Sequence, residues 1–307
     1  MNLSEQLLPW EALQPILSIN QITTQSVDFF DLQPQAQNAI AQFLNNPHCS
    51  LLMLKADEQP EYASAVENFI KLQQGNLLAV SGARYVIEQA DSFSFAQIHV
   101  EPAQSIADNF AAQKSVASAL YFDHSQLFGS IRIHPTSKDI QLNPGLVHQL
   151  NNGVLILSLS ALLERLELWP RLKQILRNKK FEWYSVHPFK SLPCEIPGYP
   201  LSLKLILLGS RADLATFSEL EPDLYEIANY AEIESYFNVE SDEKQTQWVQ
   251  YVSNLAWKNH FPTITPSGLN KLYQLLVRES ENRTLINISP LKLKEILSGA
   301  ALFAKEN

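Results

Sequence analysis

Runs of consecutive apolar residues alternate with segments of helical periodicity over the first 240 residues. Cys49–Leu54, Val154–Ser158 and Leu203–Leu208 are almost wholly apolar, which is typical of parallel strands covered on both faces. Ile233–Phe237 predicts a fourth strand, and Ser130–Ile133 predicts a shorter one. The pattern therefore predicts an α/β domain with a mostly parallel sheet and flanking helices.

Helices are expected between these strands, where apolar residues recur at spacings of three and four. Gln35–Asn45 places Ala36, Ile40, Phe43 and Leu44 on one face, and Glu61–Gln73 does the same with Ala65, Phe69 and Leu72. Further helices are predicted over Ile106–Leu120 and Arg171–Arg177. These helices would cover the two faces of the sheet.

The chain changes character after Asp242, where three helical segments follow one another. They are Thr246–Lys258, Pro266–Glu279 and Pro290–Lys305, and the two prolines at the starts of helices suit a first turn. The predicted organisation is a helical lead-in over 1–30, an α/β domain over 31–240 and a small all-helical lid domain over 241–307, complete or not.

Composition restricts the classes of partner. The chain has 307 residues, 46% hydrophobic and 18% charged, with a formal net charge of -9. An acidic chain lacks the general basic face that nucleic-acid binding requires, so no nucleic-acid partner is expected. One basic group is predicted to be a solvated helix face and its C-terminal end, and it consists of Arg171, Lys173, Arg177, Lys179 and Lys180.

Cysteines and histidines give no metal or disulfide framework. Cys49 and Cys194 lie far apart, and the seven histidines show no zinc-ligand spacing, so no metal site is predicted. The N-terminus shows no basic segment followed by an apolar stretch, and the apolar runs are too short to span a bilayer. We therefore expect a cytoplasmic protein with no membrane partner.

One segment carries a family resemblance. Leu127-Phe128-Gly129 is followed by a stretch that contains Pro144, Gly145, His148 and Gly153 and leads into the strand Val154–Leu157. It resembles the AAA+ module of Lon-type proteases, in particular the short bacterial Lon protease homologues. The resemblance implies a P-loop-NTPase-like fold, and in it His148 is expected to order a loop rather than to act in catalysis.

The same resemblance implies ATP and Mg²⁺ as cofactors, protein substrates and a ring of identical subunits. Lys55 and Ser210 stand at the positions that correspond to the nucleotide site. A phosphate-binding loop needs Gly-x-x-x-x-Gly-Lys-Ser/Thr after a buried strand, but Lys55–Glu61 contains no glycine and three acidic residues. We therefore predict a solvated loop that does not bind nucleotide in the usual way.

The other parts of the implied machinery also lack counterparts. Active modules carry Asp-Glu where this chain reads Ser158-Leu159-Ser160, and serine cannot supply the charge that holds Mg²⁺. Glu221–Tyr230 contains no arginine that could complete a neighbour's site. The Ser-Lys peptidase of the family lies beyond the helical lid, so we expect no catalytic residue in this chain.

Two functions remain open from the sequence. The first is a degenerate AAA+-like module of a Lon-type ATP-dependent protease homologue, which engages protein substrates, assembles subunits or scaffolds a peptidase. The second is a stand-alone adaptor with neither protease nor ATPase activity. Enzymatic activity is undecided, because the family resembled is enzymatic whereas its charged residues are missing here.

Overall fold

The computed structural model describes residues 15–18, 26–74, 79–89, 96–134, 136, 139–185, 192 and 194–306. The chain divides into two compact units, Gln35–Ile233 and a second that joins Met1–Pro34 to Glu234–Asn307. Most of the predicted helical lead-in over 1–30 lies outside the described residues, and the sequence-based domain bounds stay predictions.

The first unit alternates helices and strands, as the apolar runs predict. Its helices are α1 (Pro34–Asn45), α2 (Pro60–Gln74), α3 (His124–Phe128), α4 (Leu146–Gln149), α5 (Leu159–Leu163), α6 (Trp169–Asn178), α7 (Arg211–Leu220) and α8 (Leu224–Ile227). Its strands are β1 (Leu51–Lys55), β2 (Gly82–Glu88), β3 (Gln97–Pro102), β4 (Phe110–Ala111), β5 (Val116–Ala119), β6 (Ser130–Ile133), β7 (Ile140–Asn143), β8 (Gly153–Ser158), β9 (Lys180–Phe181), β10 (Tyr199–Pro200), β11 (Leu203–Gly209) and β12 (Ala228–Glu232).

A five-stranded parallel sheet forms the centre of this unit, in the order β12-β1-β11-β8-β5. All six residues of β8 are buried, and the apolar residues of β1 and β11 are buried as well. The fold is therefore the predicted AAA+-like α/β class with flanking helices. Because all five strands run in one direction, their carboxyl ends lie at the same edge of the sheet.

Smaller antiparallel sheets accompany the central one. They are the three-stranded sheet β3-β2-β4, the hairpin β6-β7 and the short pair β9-β10. β6 covers the predicted strand Ser130–Ile133.

The predicted helix over Ile106–Leu120 is wrong. This segment contains a turn, then β4, then the edge strand β5 of the central sheet. Alanines at several of its positions favour a helix, but Val116–Ala119 pairs with Val154–Leu157 of β8. The pairing with a fully buried neighbouring strand outweighs the local preference.

The fourth long strand is also displaced from its predicted place at Ile233–Phe237. The parallel strand is β12, which ends at Glu232, and only Tyr236–Asn238 of the following segment forms a strand, in the second unit. Register explains the shift, because Ala228–Glu232 lies opposite Leu51–Lys55 of β1.

Helix α2 buries a different face from the one predicted. The buried side chains are Tyr62, Ala63, Val66 and Ile70, whereas Leu72 is 83% exposed. Of the predicted stripe, Ala65 and Phe69 are therefore only half-buried and Leu72 faces solvent. By contrast, α1 buries Ala36, Ile40 and Phe43 as its spacing predicts.

The second unit is rich in helix, as predicted. It contains β13 (Tyr236–Asn238), α9 (Asp242–Lys258), α10 (Pro266–Ser280), β14 (Leu285–Asn287) and α11 (Pro290–Glu306), with β13 and β14 paired antiparallel. The short strand β14 within this region is not foreseen by the sequence pattern. Trp248 and Tyr251 of α9 are fully buried, and Phe29 of an N-terminal 3-10 helix packs 6.2 Å from the Tyr251 ring.

Candidate functional site

The carboxyl ends of three neighbouring strands bring the predicted nucleotide-site positions to one edge of the sheet. Lys55 ends β1, Ser158 ends β8, and Ser210 follows β11, which lies between them. Ligands of open parallel sheets bind outside this edge. The contacts of these three side chains therefore decide what the edge can bind.

Lys55 forms an ion pair with a carboxylate of the same sheet. Its ammonium group donates to Oε1 of Glu232, which lies directly opposite on β12. The two side chains are 31% and 30% exposed. The ion pair neutralises the lysine where a phosphate would otherwise meet it.

Ser210 caps a helix. Its Oγ accepts the Asp213 N–H at 3.2 Å and donates to Asp213 Oδ2 at 2.5 Å, while its own N–H donates to the same carboxylate at 3.2 Å. This reciprocal capping box begins α7. The residue expected to sense a nucleotide thus uses its polar atoms within its own helix.

Glu58, in the loop after β1, binds the start of the helix after β8. Its Oε2 accepts the Ser158 hydroxyl at 2.5 Å and also the Ser160 hydroxyl, and its Oε1 accepts the Ser160 N–H at 2.8 Å. The Ser158 Oγ in turn accepts the Ala161 N–H at 3.0 Å. The carboxylate, two hydroxyls and two backbone amides form one connected network.

The residues present do not fit a magnesium nucleotide. The loop Ala56–Gln59 has no glycine, and α2 begins at Pro60, which has no N–H to offer a phosphate. A carboxylate already occupies the donors at Ser158 and Ser160, and no acidic ligand for Mg²⁺ stands at these positions. Across the described residues there is also no group of three or more His, Cys, Asp or Glu side chains that could hold a metal ion.

The motif around Pro144 lies in a different environment. The backbones of Gly129 and Gly145 are in direct contact. A Cβ at Gly145 would lie 2.3 Å from the Gly129 nitrogen and 2.4 Å from the Leu127 oxygen. Gly129 has a φ of 76°, which favours glycine. A Cβ there would also lie 3.2 Å from the carbonyl carbon of Pro144. Only glycine allows these two chain segments to approach so closely.

His148 fixes this turn from the inside. Its Nδ1 accepts the Gly145 N–H at 2.9 Å, so the neutral ring carries its proton on Nε2. The side chain is fully buried, and Nε2 has no hydrogen-bond partner in the described part of the chain. Burial lowers the pKa of His148 to about 3, which keeps the ring neutral at physiological pH.

Aromatic rings enclose His148 on several sides. Phe181 lies 4.2 Å from the imidazole centroid, Phe110 lies 5.0 Å away, and Trp183 stacks at 5.7 Å with an interplanar angle of 19°. Tyr199 stacks at 6.0 Å. We call His148 and these four residues the aromatic cluster; its buried surroundings suit packing rather than proton transfer.

Gly153, the remaining predicted motif residue, starts β8 beside β5. A Cβ at this position would lie 2.6 Å from the Ser115 carbonyl oxygen. The position therefore has a steric requirement for glycine at the entry to the central strand.

The basic group on and after α6 is only partly the solvated face that the sequence predicts: Arg171 and Lys173 are half-buried, whereas Arg177, Lys179 and Lys180 are exposed. The guanidinium of Arg171 lies over the rings of Phe128 and Phe181, at 4.5 and 4.9 Å from their centroids. Burial lowers the pKa of Arg171 to about 10, within the range that leaves it charged. Lys180 pairs with Glu182. Packing and internal ion pairs therefore use part of this charge.

Glu221, at the C-terminal end of α7, contacts two side chains of α6. Its carboxylate accepts the Trp169 indole N–H at 2.7 Å and also pairs with Lys173. Partial burial raises the pKa of Glu221, but the bonds to Lys173 and Trp169 outweigh this and lower it below its usual range.

Comparison with known proteins agrees with this architecture. A family model described as LonB-like, AAA domain matches residues 112–233. This range includes the contact between Gly129 and Gly145, the buried His148 and Glu221. Residues 112–233 of the chain are thus similar to a LonB-like AAA domain. Among solved structures, a crystal structure of NtrX from Brucella abortus shares the fold, with a TM-score of 0.50, 9% identity and coverage of 90% of this chain and 52% of that one.

Two curated proteins extend the similarity beyond this domain. A Lon protease homologue from Haemophilus influenzae is 55% identical over 302 residues, covering 98% of this chain and 50% of that protein. A second, from Escherichia coli, is 37% identical over 257 residues, covering 83% of this chain and 42% of that protein. The chain spans about half the length of these relatives. None of the helices that the structure describes is long and apolar enough to cross a bilayer.

Sequence reasoning misses the partners of Glu58. The sequence shows it only as an acid that would repel phosphate, and shows Ser158 and Ser160 only as missing acids. The available signal is topological: strands that run parallel end at one edge, so an acid after β1 and hydroxyls after β8 can meet. The intervening strand β11 is what sets their separation.

Proposed function

We propose that this LonB-like module serves a Lon-type protease homologue by binding protein, either substrates or other copies of itself, without binding or hydrolysing ATP. The observation that carries the proposal is the state of the carboxyl edge of the sheet. Glu232 binds Lys55, Asp213 binds Ser210, and Glu58 binds the serines after β8. The groups that would meet a nucleotide are engaged by the chain's own carboxylates.

Protein binding is a role that requires neither nucleotide binding nor catalysis at the carboxyl edge of the sheet. The relatives are named as Lon protease homologues, and a protease of that kind has to engage protein chains. A module that keeps the AAA fold but lacks the charges for hydrolysis retains surfaces for assembly and substrate contact. We propose the cytoplasm as its location.

Binding to an unfolded protein, with and without nucleotide, tests this function. Fluorescently labelled unfolded casein serves as the probe, and light scattering on the same samples reports self-association. We expect casein binding, self-association or both, unchanged by ATP and Mg²⁺. Failure of both, or binding that appears only with ATP and Mg²⁺, would contradict the proposal.

A further inference from the structure

The loop after β1 contributes a carboxylate, that of Glu58, to the neighbouring strand end. Glu58 lies three residues beyond the end of β1, and its side chain reaches Ser158 and Ser160 across the end of β11. The contact joins residues 100 and 102 positions apart in the sequence. It is therefore a tertiary connection between two strand ends, not a local turn.

The donors around this carboxylate form a complete set. Both serine hydroxyls donate to Oε2, and the Ser160 N–H, which the start of α5 leaves without a helical partner, donates to Oε1. Hydrogen bonds to an ionised acceptor are stronger than those between neutral groups. The Ser158 Oγ also caps α5 through the Ala161 N–H, so the carboxylate and the helix start are held together.

The surroundings favour a lasting contact. Ser158 is only 2% exposed, so its hydroxyl would be costly to leave without an acceptor. The loop itself is short and braced, because the Ala56 N–H donates to the Gly209 oxygen at 3.0 Å, and the Tyr62 N–H donates to the Gln59 oxygen at 3.1 Å. Glu58 is thus presented from a loop attached at both ends.

We infer that Glu58 is a built-in anionic ligand that joins the loop after β1 to the start of α5. It holds this sheet edge closed, meaning that the donors of Ser158 and Ser160 are occupied with no external ligand. The inference rests on the proposed function only in that no nucleotide competes for these donors. It holds whichever protein the module binds. The closed edge is then the permanent state of the module, rather than one that ligand binding creates.

Amide hydrogen exchange at Ser160 and Ala161, followed by NMR on the whole chain, tests this connection. Glu58→Ala removes the acceptor, and we expect exchange at Ser160 to become about tenfold faster or more. Glu58→Gln keeps one acceptor oxygen but loses the charge, so a smaller acceleration is expected. Asp57→Asn, an exposed acid of the same loop, is the matched control and should leave exchange unchanged.

Two results would overturn the inference. The first is exchange at Ser160 that is the same in Glu58→Ala as in Asp57→Asn. The second is slower exchange in the unaltered chain after addition of inorganic phosphate or of ATP with Mg²⁺, because these donors would then be free to take an external anion. If Glu58→Ala does not fold, the Glu58→Gln comparison decides. A failure of casein binding would leave these exchange results unaffected, and equal exchange in Glu58→Ala and Asp57→Asn would leave the casein result unaffected, so these readouts separate the two proposals. Slower exchange with ATP and Mg²⁺ would contradict both.

Discussion

Two regions of the central domain are held by different forces. Around His148, glycines in steric contact and buried rings fill the space, and the imidazole itself is neutral. At the carboxyl edge of the sheet, partly exposed ion pairs and hydrogen bonds join Lys55 to Glu232 and Glu58 to Ser160. Packing thus holds the region around His148, whereas ion pairs and hydrogen bonds hold the carboxyl edge of the sheet.

The largest effect is expected where two backbones touch. Gly145→Ala places a methyl group 2.3 Å from the Gly129 nitrogen, with backbone rather than a movable side chain in the way. We expect a loss of about 4 kcal/mol or more in the free energy of unfolding, or failure to fold. Urea unfolding followed by circular dichroism measures it.

Gly299→Ala in α11 is the control, since nothing lies within 4 Å of its added Cβ. Replacing a helical glycine by alanine there should stabilise the chain by up to about 1 kcal/mol. Equal effects of the two variants would mean that the contact between Gly129 and Gly145 is not tight.

The next effect concerns His148 and depends on pH. Its pKa is about 3 in the folded chain against an ordinary 6.5, so the unfolded chain binds the extra proton between these values. The stability is fully present above pH 6.5 and is lost as pH falls toward 3. From about pH 7 to about pH 5, this histidine should cost the native chain about 2 kcal/mol.

His148→Leu should therefore unfold more readily at neutral pH, because the buried Gly145 N–H loses its acceptor, yet vary less with pH. His48→Leu, at an exposed position, controls for the removal of a histidine. Urea unfolding at several pH values measures both the loss of stability at neutral pH and the dependence of stability on pH. Parallel pH profiles for the native chain and His148→Leu would show that His148 has the same pKa in the folded and the unfolded chain.

The smallest effect is expected for the ion pair between Lys55 and Glu232 at the carboxyl edge of the sheet. Glu232→Gln removes the partner of Lys55, but both side chains are about one-third exposed, and pairs of this kind contribute about 0–1 kcal/mol. We expect a change within that range that shrinks further in high salt. A loss comparable to that of Gly145→Ala would erase the distinction between the two regions.

Much of the fold follows from the sequence, because buried parallel strands are apolar throughout. β1, β8 and β11 are predicted in this way. The three C-terminal helices are indicated by the spacing of their apolar residues, and two of them also by an initial proline. β5 does not, since Val116–Ala119 is short and only weakly apolar, and its place is fixed by pairing with β8. The displaced β12 has the same origin in register with β1.

The candidate site is less predictable than the fold. The positions of Lys55 and Ser210 follow from where the strands end, but the partner of Lys55 does not. Lys55 meets a residue 177 positions away, whereas Ser210 meets one only three positions on. Which of several acids reaches a given donor depends on three-dimensional distances that no periodicity encodes. The burial of Arg171 under aromatic rings is hidden from the sequence for the same reason.

Isothermal titration of the whole chain with ATP and Mg²⁺ tests the central claim most directly. Because the chain's own carboxylates engage Lys55, Ser158 and Ser210, we predict no saturable heat up to about millimolar nucleotide. Saturable heat with a dissociation constant in the micromolar range, abolished by Lys55→Met or Ser158→Ala, would contradict the account.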